Sequence, residues 1–253
     1  MKKIIAVIFI ILTVIFTLPV FVTVILSFSV DGSFSVQGYT NLLFDCFVFY
    51  PMFWNSVFYA LVITVVQLLI IIPCAFGFSQ AHFKGKSALF VFYIILMMMP
   101  LQVTILPNYI GLRDMGLINT SWGIILPMIF SPFGAVVMHQ YMKNIDNSVI
   151  EATRLETNSI FKIIFMSVIP QIRVCIFAVV LFVFADCWNM VEQPMLFLKD
   201  ESLKTLSVFI TNAQNYDGAV LFPASVIFLI PVVILYLFFN KNLEKGLTLG
   251  ELS

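Results

Sequence analysis

The chain is dominated by long apolar runs that a water-soluble fold could not hide. The first run, residues 4–28, carries no charge, and 25 residues of helix at 1.5 Å per residue extend about 37 Å. Of the 253 residues, 61% are hydrophobic and only 10% are charged, a balance far from that of soluble domains. The chain is therefore predicted to be an integral membrane protein whose length is largely taken up by membrane spans.

Hydropathy predicts one all-α domain, residues 1–253, with six transmembrane helices, because backbone at membrane depth must satisfy its own hydrogen bonds. The spans are expected at residues 4–28, 57–78, 89–106, 122–141, 174–191 and 220–239. Pro100 lies inside the third span, and Pro127 and Pro132 interrupt the fourth, so both helices should be kinked. Residues 192–216 are expected to form a polar loop before the last span.

Basic residues are unevenly distributed among the segments between spans. If the N-terminus is inside, ten of the 13 Lys and Arg residues fall in inner segments, and only Arg113, Lys199 and Lys204 fall in outer ones. Since cytoplasmic loops are enriched in Lys and Arg, this assignment predicts that both termini are cytoplasmic. It also places residues 146–172 in the cytoplasm.

Residues 146–172 form the longest amphipathic stretch, and from Glu151 they read EATRLETNSIFKIIFMSVIP. Ser148 and Glu151 have the spacing of a capping box at a helix start. Asn158 and Ser159 are residue types that cap a second short helix. The stretch is therefore predicted to be a two-helix elbow on the cytoplasmic side.

This elbow resembles the EAA motif of permease subunits of bacterial ABC importers. Thr157 stands where the family has a Gly that permits a sharp turn, and the neighbouring Asn158 is the non-glycine type that best tolerates a positive φ, so the exact turn is left open but the elbow is not. The resemblance implies that the elbow docks onto a separate ATPase subunit. The residues to which it assigns this coupling role are Glu151, Ala152, Thr153, Arg154, Glu156, Thr157, Ser159 and Pro170.

Further matches make the chain similar to the MalG-like permease subunit of carbohydrate-type importers. They include the segment from Met98 to Glu156, Trp188-Asn189, and a C-terminal signature at Gly246, Thr248 and Gly250. The last three residues are expected to contact the ATPase. The resemblance implies a type I ABC importer permease fold in a bacterial cytoplasmic membrane.

The same resemblance implies the partners and the cofactors. A homologous second permease subunit, two ATPase subunits and an extracytoplasmic solute-binding protein are expected, with the lipid bilayer around them. ATP and Mg²⁺ belong to the ATPase, and no cofactor is expected in this chain. Gly85-Lys86-Ser87 ends like a phosphate-binding loop, but Gln80 occupies the position of its first glycine.

Asp186 is the only acidic residue inside a predicted span, near its outer end. Because a charged side chain at membrane depth normally faces protein or water, Asp186 is expected to line the solute's route or the dock of the binding protein. Trp188, Asn189 and Glu192 follow it closely and could bind a sugar through an aromatic face and polar groups. An interfacial Trp beside a polar helix end is the alternative.

Other function classes have little in the sequence to support them. Zero net charge gives no reason to expect a nucleic-acid partner, and neither a catalytic constellation nor a metal-ligand spacing is evident. An ion-coupled transporter needs charged residues in mid-span. The resemblance to carbohydrate-type importers implies import of a sugar or sugar-like solute, whereas composition alone indicates only a polytopic membrane protein. A non-sugar solute such as glycerol phosphate is the main alternative, and ion coupling is a weaker one.

Overall fold

The structure, a computed structural model, describes the backbone of residues 2–30, 32–212 and 217–250, and their side chains except at 2–5, 147 and 240–250. Apart from a two-stranded hairpin, Ser29–Val30 with Ser33–Phe34, the regular elements in these ranges are helical. The predicted all-α polytopic fold is thus confirmed. The α-helices are α1 (Lys2–Ser27), α2 (Gln37–Thr40), α3 (Phe49–Gln80), α4 (Lys86–Met97), α5 (Leu101–Asp114), α6 (Ser121–Ile129), α7 (Phe133–Met142), α8 (Asn147–Glu156), α9 (Ile160–Ile163), α10 (Ile169–Trp188), α11 (Glu192–Phe197), α12 (Leu206–Thr211) and α13 (Gly218–Gly250).

Five helical segments of the described chain are long and apolar enough to cross a membrane. They are Ala6–Ser27, Phe49–Gln80, Ser121–Met142, Ile160–Trp188 and Gly218–Phe239. A sixth, formed by α4 and α5, passes the same test only as a bent pair. Each segment overlaps one of the six predicted spans, although several bounds differ.

The predicted third span, residues 89–106, is not one kinked helix. The axes of α4 and α5 meet at 97°, and Pro100 between them is extended, with φ −65° and ψ 146°. Proline lacks an N–H and excludes the helical conformation from the residue before it, so the helix ends and restarts. The break is therefore sharper than the predicted kink.

The predicted fifth span, residues 174–191, begins too late. The structure has one continuous helical segment from Ile160 to Trp188, in which α9 passes through a π-helical turn, Ile164–Val168, into α10. Pro170 lies at the start of α10. Its ring would clash with a carbonyl one turn earlier in a regular helix, and the wider π turn directly before it relieves that clash. Pro170 thus belongs to the span, not to the elbow.

The core is built around α3, against which α6, α7 and α10 pack. Tyr59 and Ile63 of α3, Met138 of α7 and Ile172 of α10 have no exposed surface. A Cβ at Gly134 would lie 2.6 Å from Ile71 Cδ1, so α3 and α7 can approach this closely only because residue 134 has no side chain. Small residues serve the same purpose between membrane helices generally.

The outer segment 192–216 is not a simple polar loop, because α11 and α12 bury Phe197 and Leu206 in the core. Asn119, at φ 61°, joins this segment to the turn before α6. Its Oδ1 accepts hydrogen bonds from the N–H groups of Lys199 and Asp200, at 2.8 and 2.9 Å. The outer ends of the helices are therefore held in a fixed arrangement.

Candidate functional site

Helix α8 begins with an Asp cap and not with the predicted capping box. Asp146 is the N-cap, and its Oδ1 accepts a 2.9 Å hydrogen bond from the Ser148 N–H. The backbone and side-chain hydrogen bonds from Ser148 hold the pKa of the Asp146 carboxyl below its usual value. Because the helix begins at Asn147, Glu151 lies more than a turn inside it and cannot serve as a cap residue.

The turn after α8, which the sequence leaves open, contains no left-handed residue. Thr157 is extended, with φ −152° and ψ 141°, and among the described non-glycine residues only Asn119 has a positive φ. Extended backbone suits a β-branched residue, so Thr157 replaces the family's Gly without strain and Asn158 need not be left-handed. Ser159 is the N-cap of α9 but makes no side-chain cap bond, whereas Thr157 Oγ1 accepts from the Ser159 N–H at 3.2 Å.

One face of α8 is fixed to the protein. Ile150 is buried in the core, with 2% of its surface exposed. The Thr153 hydroxyl is hydrogen-bonded to the hydroxyl of Ser167, which lies in the π turn at the start of the fifth span. These two contacts join α8 to the segment that continues into α10.

The rest of α8 is open. Glu151, Ala152, Arg154 and Glu156 are exposed, and within the described chain the charged ones make no ion pair. Arg154 lies one turn after Ile150, on the same side of the helix. Leu155 is 91% exposed, whereas Ile150 on the same helix is buried. Such exposure is unusual for a leucine. Leu155 is not among the coupling residues predicted from the sequence, although it belongs to the same motif.

A cavity of about 300 Å³ separates α8 from the end of α3 and the loop that follows it. Ser79 and His82 line it on the α3 side, and Glu151 and Arg154 line it on the α8 side. Lys143 also lines the cavity. The cavity leaves the charged side chains of α8 surrounded by space and not by packed neighbours.

The second candidate site is a cavity of about 720 Å³ bounded by α4, α5, the α6–α7 break, α10 and α11. Asp186 lies on its wall, as the sequence predicts for an acid that faces protein or water. Thr104, Asn108, Ser131 and Gln193 add polar groups. These four were missed, although Thr104 and Asn108 are one helical turn apart beside a proline break, which is a readable signal.

Trp188 does not belong to this cavity, and its assignment to the pathway is wrong. Two residues along a helix are about 200° apart, so Asp186 and Trp188 point to opposite sides of α10. The indole is fully buried, lies between the rings of Phe184 and Phe228, at 5.7 and 5.4 Å, and donates from Nε1 to the Phe228 carbonyl at 3.1 Å. It is neither a solute contact nor an interfacial anchor.

The other residues predicted near Asp186 are exposed but do not line the cavity. Asn189 Nδ2 donates to the Ala185 carbonyl at 2.7 Å, and Glu192 Oε1 accepts from Gln102 Nε2 at 3.4 Å. Both are exposed, and their contact with a binding protein stays a prediction.

The predicted tail contact, Gly246, Thr248 and Gly250, falls on the backbone of α13, which runs to Gly250. Side-chain placement there lies outside the described residues, so the contact stays a prediction. Within the described part of the chain, no group of three or more His, Cys, Asp or Glu side chains could hold a metal ion.

Comparison with known proteins matches residues 67–249 to the family described as "Binding-protein-dependent transport system inner membrane component". The chain is 29% identical over 221 residues to the arabinooligosaccharides transport system permease protein AraQ of Bacillus subtilis, covering 85% of this chain and 78% of that protein. It is 22% identical to the maltodextrin transport system permease protein MalD of Streptococcus pneumoniae, over 94% and 91% of the two chains. It is 24% identical to the sn-glycerol-3-phosphate transport system permease protein UgpE of Brucella abortus, over 79% and 73%.

The fold is similar to that of a chain in the crystal structure of a bacterial ABC transporter that imports the acidic polysaccharide alginate. The TM-score is 0.84, with 95% of each chain covered and 20% sequence identity.

Proposed function

The chain belongs to the family of binding-protein-dependent transport system inner membrane components, and from this premise we propose that it forms half of the membrane pathway of a sugar importer. Membership makes it a multi-pass permease of an ABC importer, which works with an ATPase and a binding protein. The family is a transport family and not an enzyme family. What we propose beyond family membership is the class of solute and the arrangement of the subunits.

The assignment of a sugar is supported by the names of its relatives. AraQ and MalD are named for arabinooligosaccharides and maltodextrin. UgpE, named for sn-glycerol 3-phosphate, keeps a phosphorylated polyol as the second candidate. An ion-coupled transporter is the weakest candidate, because Lys162, Arg173 and Asp186 are the only charged residues within the five described spanning segments.

The observation that carries the coupling mechanism is the two-faced α8. One face is fixed by Ile150 and by the Thr153–Ser167 hydrogen bond, and Leu155 projects from the opposite face. Glu151 and Arg154 are exposed beside the cavity that separates α8 from α3. A partner that moves α8 therefore moves the start of the fifth span. We assign that partner to the ATPase, which supplies the ATP and Mg²⁺, so that ATP-driven closure switches the pathway from inward-facing to outward-facing.

The complete importer is proposed to contain this chain, a homologous permease subunit, two ATPase subunits and an extracytoplasmic binding protein. Both termini and α8 face the cytoplasm, as the distribution of Lys and Arg predicts.

The test is uptake into vesicles that contain the complete importer. Labelled arabino-oligosaccharide and maltodextrin should accumulate only when ATP and the binding protein are both present. Accumulation of sn-glycerol 3-phosphate without either sugar would favour the second candidate. Uptake that needs an ion gradient in place of ATP would contradict both.

A further inference from the structure

Two broken helices meet at the 720 Å³ cavity. One break is Met98–Pro100 between α4 and α5, and the other is Phe130–Pro132 between α6 and α7. Non-helical backbone at membrane depth is tolerated where it lines a cavity, and interrupted spans are typical of the places where transporters bind solutes. The location of the cavity between two broken helices thus indicates a site that a solute enters.

The wall chemistry suits hydroxyl groups and apolar sugar faces. Aromatic rings form one side, where Phe133 and Phe182 stack with centroids 4.1 Å apart. The Asp186 carboxylate and the Asn108 amide provide acceptors and donors, and within the described chain neither makes a hydrogen bond or ion pair. A carboxylate and an amide without protein partners are free to bind a ligand.

The charge in the cavity is one-sided. Asp186 is the only Asp or Glu among the described residues that line it, and none of those residues is Lys, Arg or His. An anion there would meet a carboxylate with no compensating cation, in surroundings where charges interact more strongly than in water. Relatives named for neutral and for acidic solutes both occur, so family membership leaves the solute's charge open.

We propose that this cavity is a subsite for an uncharged polyhydroxyl solute, with Asp186 and Asn108 as its polar contacts and Asp186 as the residue that disfavours anions. This inference rests on the proposed sugar function and narrows it to neutral sugars. Acidic oligosaccharides and phosphorylated polyols are excluded by the charge of this one side chain.

The first test measures the charge of the cavity directly. In the complete importer, with the four native cysteines replaced, Asn108→Cys is exposed to a cationic and an anionic methanethiosulfonate reagent of similar size. Asp186→Asn should lower the ratio of cationic to anionic reaction rates about tenfold, the change a unit charge several ångströms away produces in partly dry surroundings. Asp114→Asn, on the same outer side but outside the cavity, should leave the ratio unchanged.

Thr104→Cys provides a second labelling position, and only variants present in the membrane at wild-type amounts are compared. A ratio that Asp186→Asn does not alter at either position overturns the inference. So does a failure of both cysteines to react, because the cavity is then closed to solutes.

The second test separates this inference from the sugar function. The wild-type importer is given labelled arabino-oligosaccharide, maltodextrin and oligogalacturonate. Uptake of a neutral sugar without the acidic one supports both conclusions. Uptake of oligogalacturonate at a rate unchanged by Asp186→Asn keeps the sugar function and overturns the inference. Uptake of none of the three removes the sugar function, and the reagent ratio still decides whether Asp186 sets the cavity's charge.

Discussion

The two candidate sites are built in opposite ways. The α8 surface comes from one continuous stretch of sequence, and its charged side chains are exposed and have no partners in the described chain. The outer cavity takes its wall from five elements separated by up to 100 residues of chain, from Tyr93 to Gln193. A contact with a protein partner can be carried by one amphipathic helix, whereas a solute site needs walls that enclose it. Mutations should therefore affect the two regions differently.

The largest effect is expected at Trp188, which lines neither region. Truncation of a fully buried aromatic side chain costs about 3–5 kcal/mol of stability, and Trp188→Ala also removes the hydrogen bond to the Phe228 carbonyl. The amount of folded permease in membranes and its resistance to denaturant should both fall. Trp188→Phe should recover most of the loss. A Trp188→Ala protein that folds normally but needs more solute for half-maximal uptake would restore the indole to the pathway.

Glu151→Lys should separate coupling from folding. Glu151 is exposed and makes no ion pair in the described chain, so insertion should be unaffected. A like charge placed in a charged interface costs several kcal/mol, so ATP-driven uptake in reconstituted vesicles should fall at least about tenfold. Asp114→Lys, an exposed charge reversal on the outer side, should retain uptake. Near-normal uptake by Glu151→Lys would remove the coupling role from α8.

A smaller change is expected at the cavity. Asp186→Ala should raise the solute concentration for half-maximal uptake about threefold to tenfold, the loss of one or two hydrogen bonds to a charged group. Basal ATPase activity should not change, because α8 is untouched. A variant with altered basal hydrolysis and normal half-saturation would link Asp186 to coupling instead.

The smallest effect should appear in the pH dependence of α8. The folded-state pKa of Asp146 lies below its ordinary value of 3.8, so its ionised cap stabilises the helix at neutral pH. That stabilisation is lost as pH falls through the lowered pKa. A spin label at Glu156→Cys should become more mobile over this window. In the Asp146→Asn variant, the Asn side chain can still cap the helix but does not titrate, so spin-label mobility should show no step over this pH range. An identical step in both proteins would assign the transition to another group.

Hydropathy alone was sufficient for the membrane class and for the approximate position of each apolar segment. It failed where prolines act with their surroundings. Pro100 ends a helix outright, whereas Pro170 is accommodated by a π turn inside one. Whether a proline ends a helix or is accommodated within it depends on the packing of neighbouring helices, which the local sequence does not reveal.

The candidate sites show the same division. The motif from Glu151 to Ser159 could be read directly because it is contiguous, and Asp186 because a lone acid in a span is conspicuous. Ser131 and Gln193 enter the cavity only through the way the broken helices meet. Trp188 was misassigned because its neighbours in sequence are polar, whereas the helical period turns it toward the core.

The proposed coupling requires the exposed face of α8 to dock onto an ATPase. The most direct measurement places a photo-activated crosslinking amino acid at Leu155, which is 91% exposed in this chain, within the complete importer in membranes. We expect a crosslinked product that contains the permease and the ATPase subunit. A crosslinker placed at Phe34, exposed on the other side of the predicted membrane, should give no such product. Crosslinking of residue 155 to lipid or to the binding protein, with the ATPase present and unmodified, would contradict the claim.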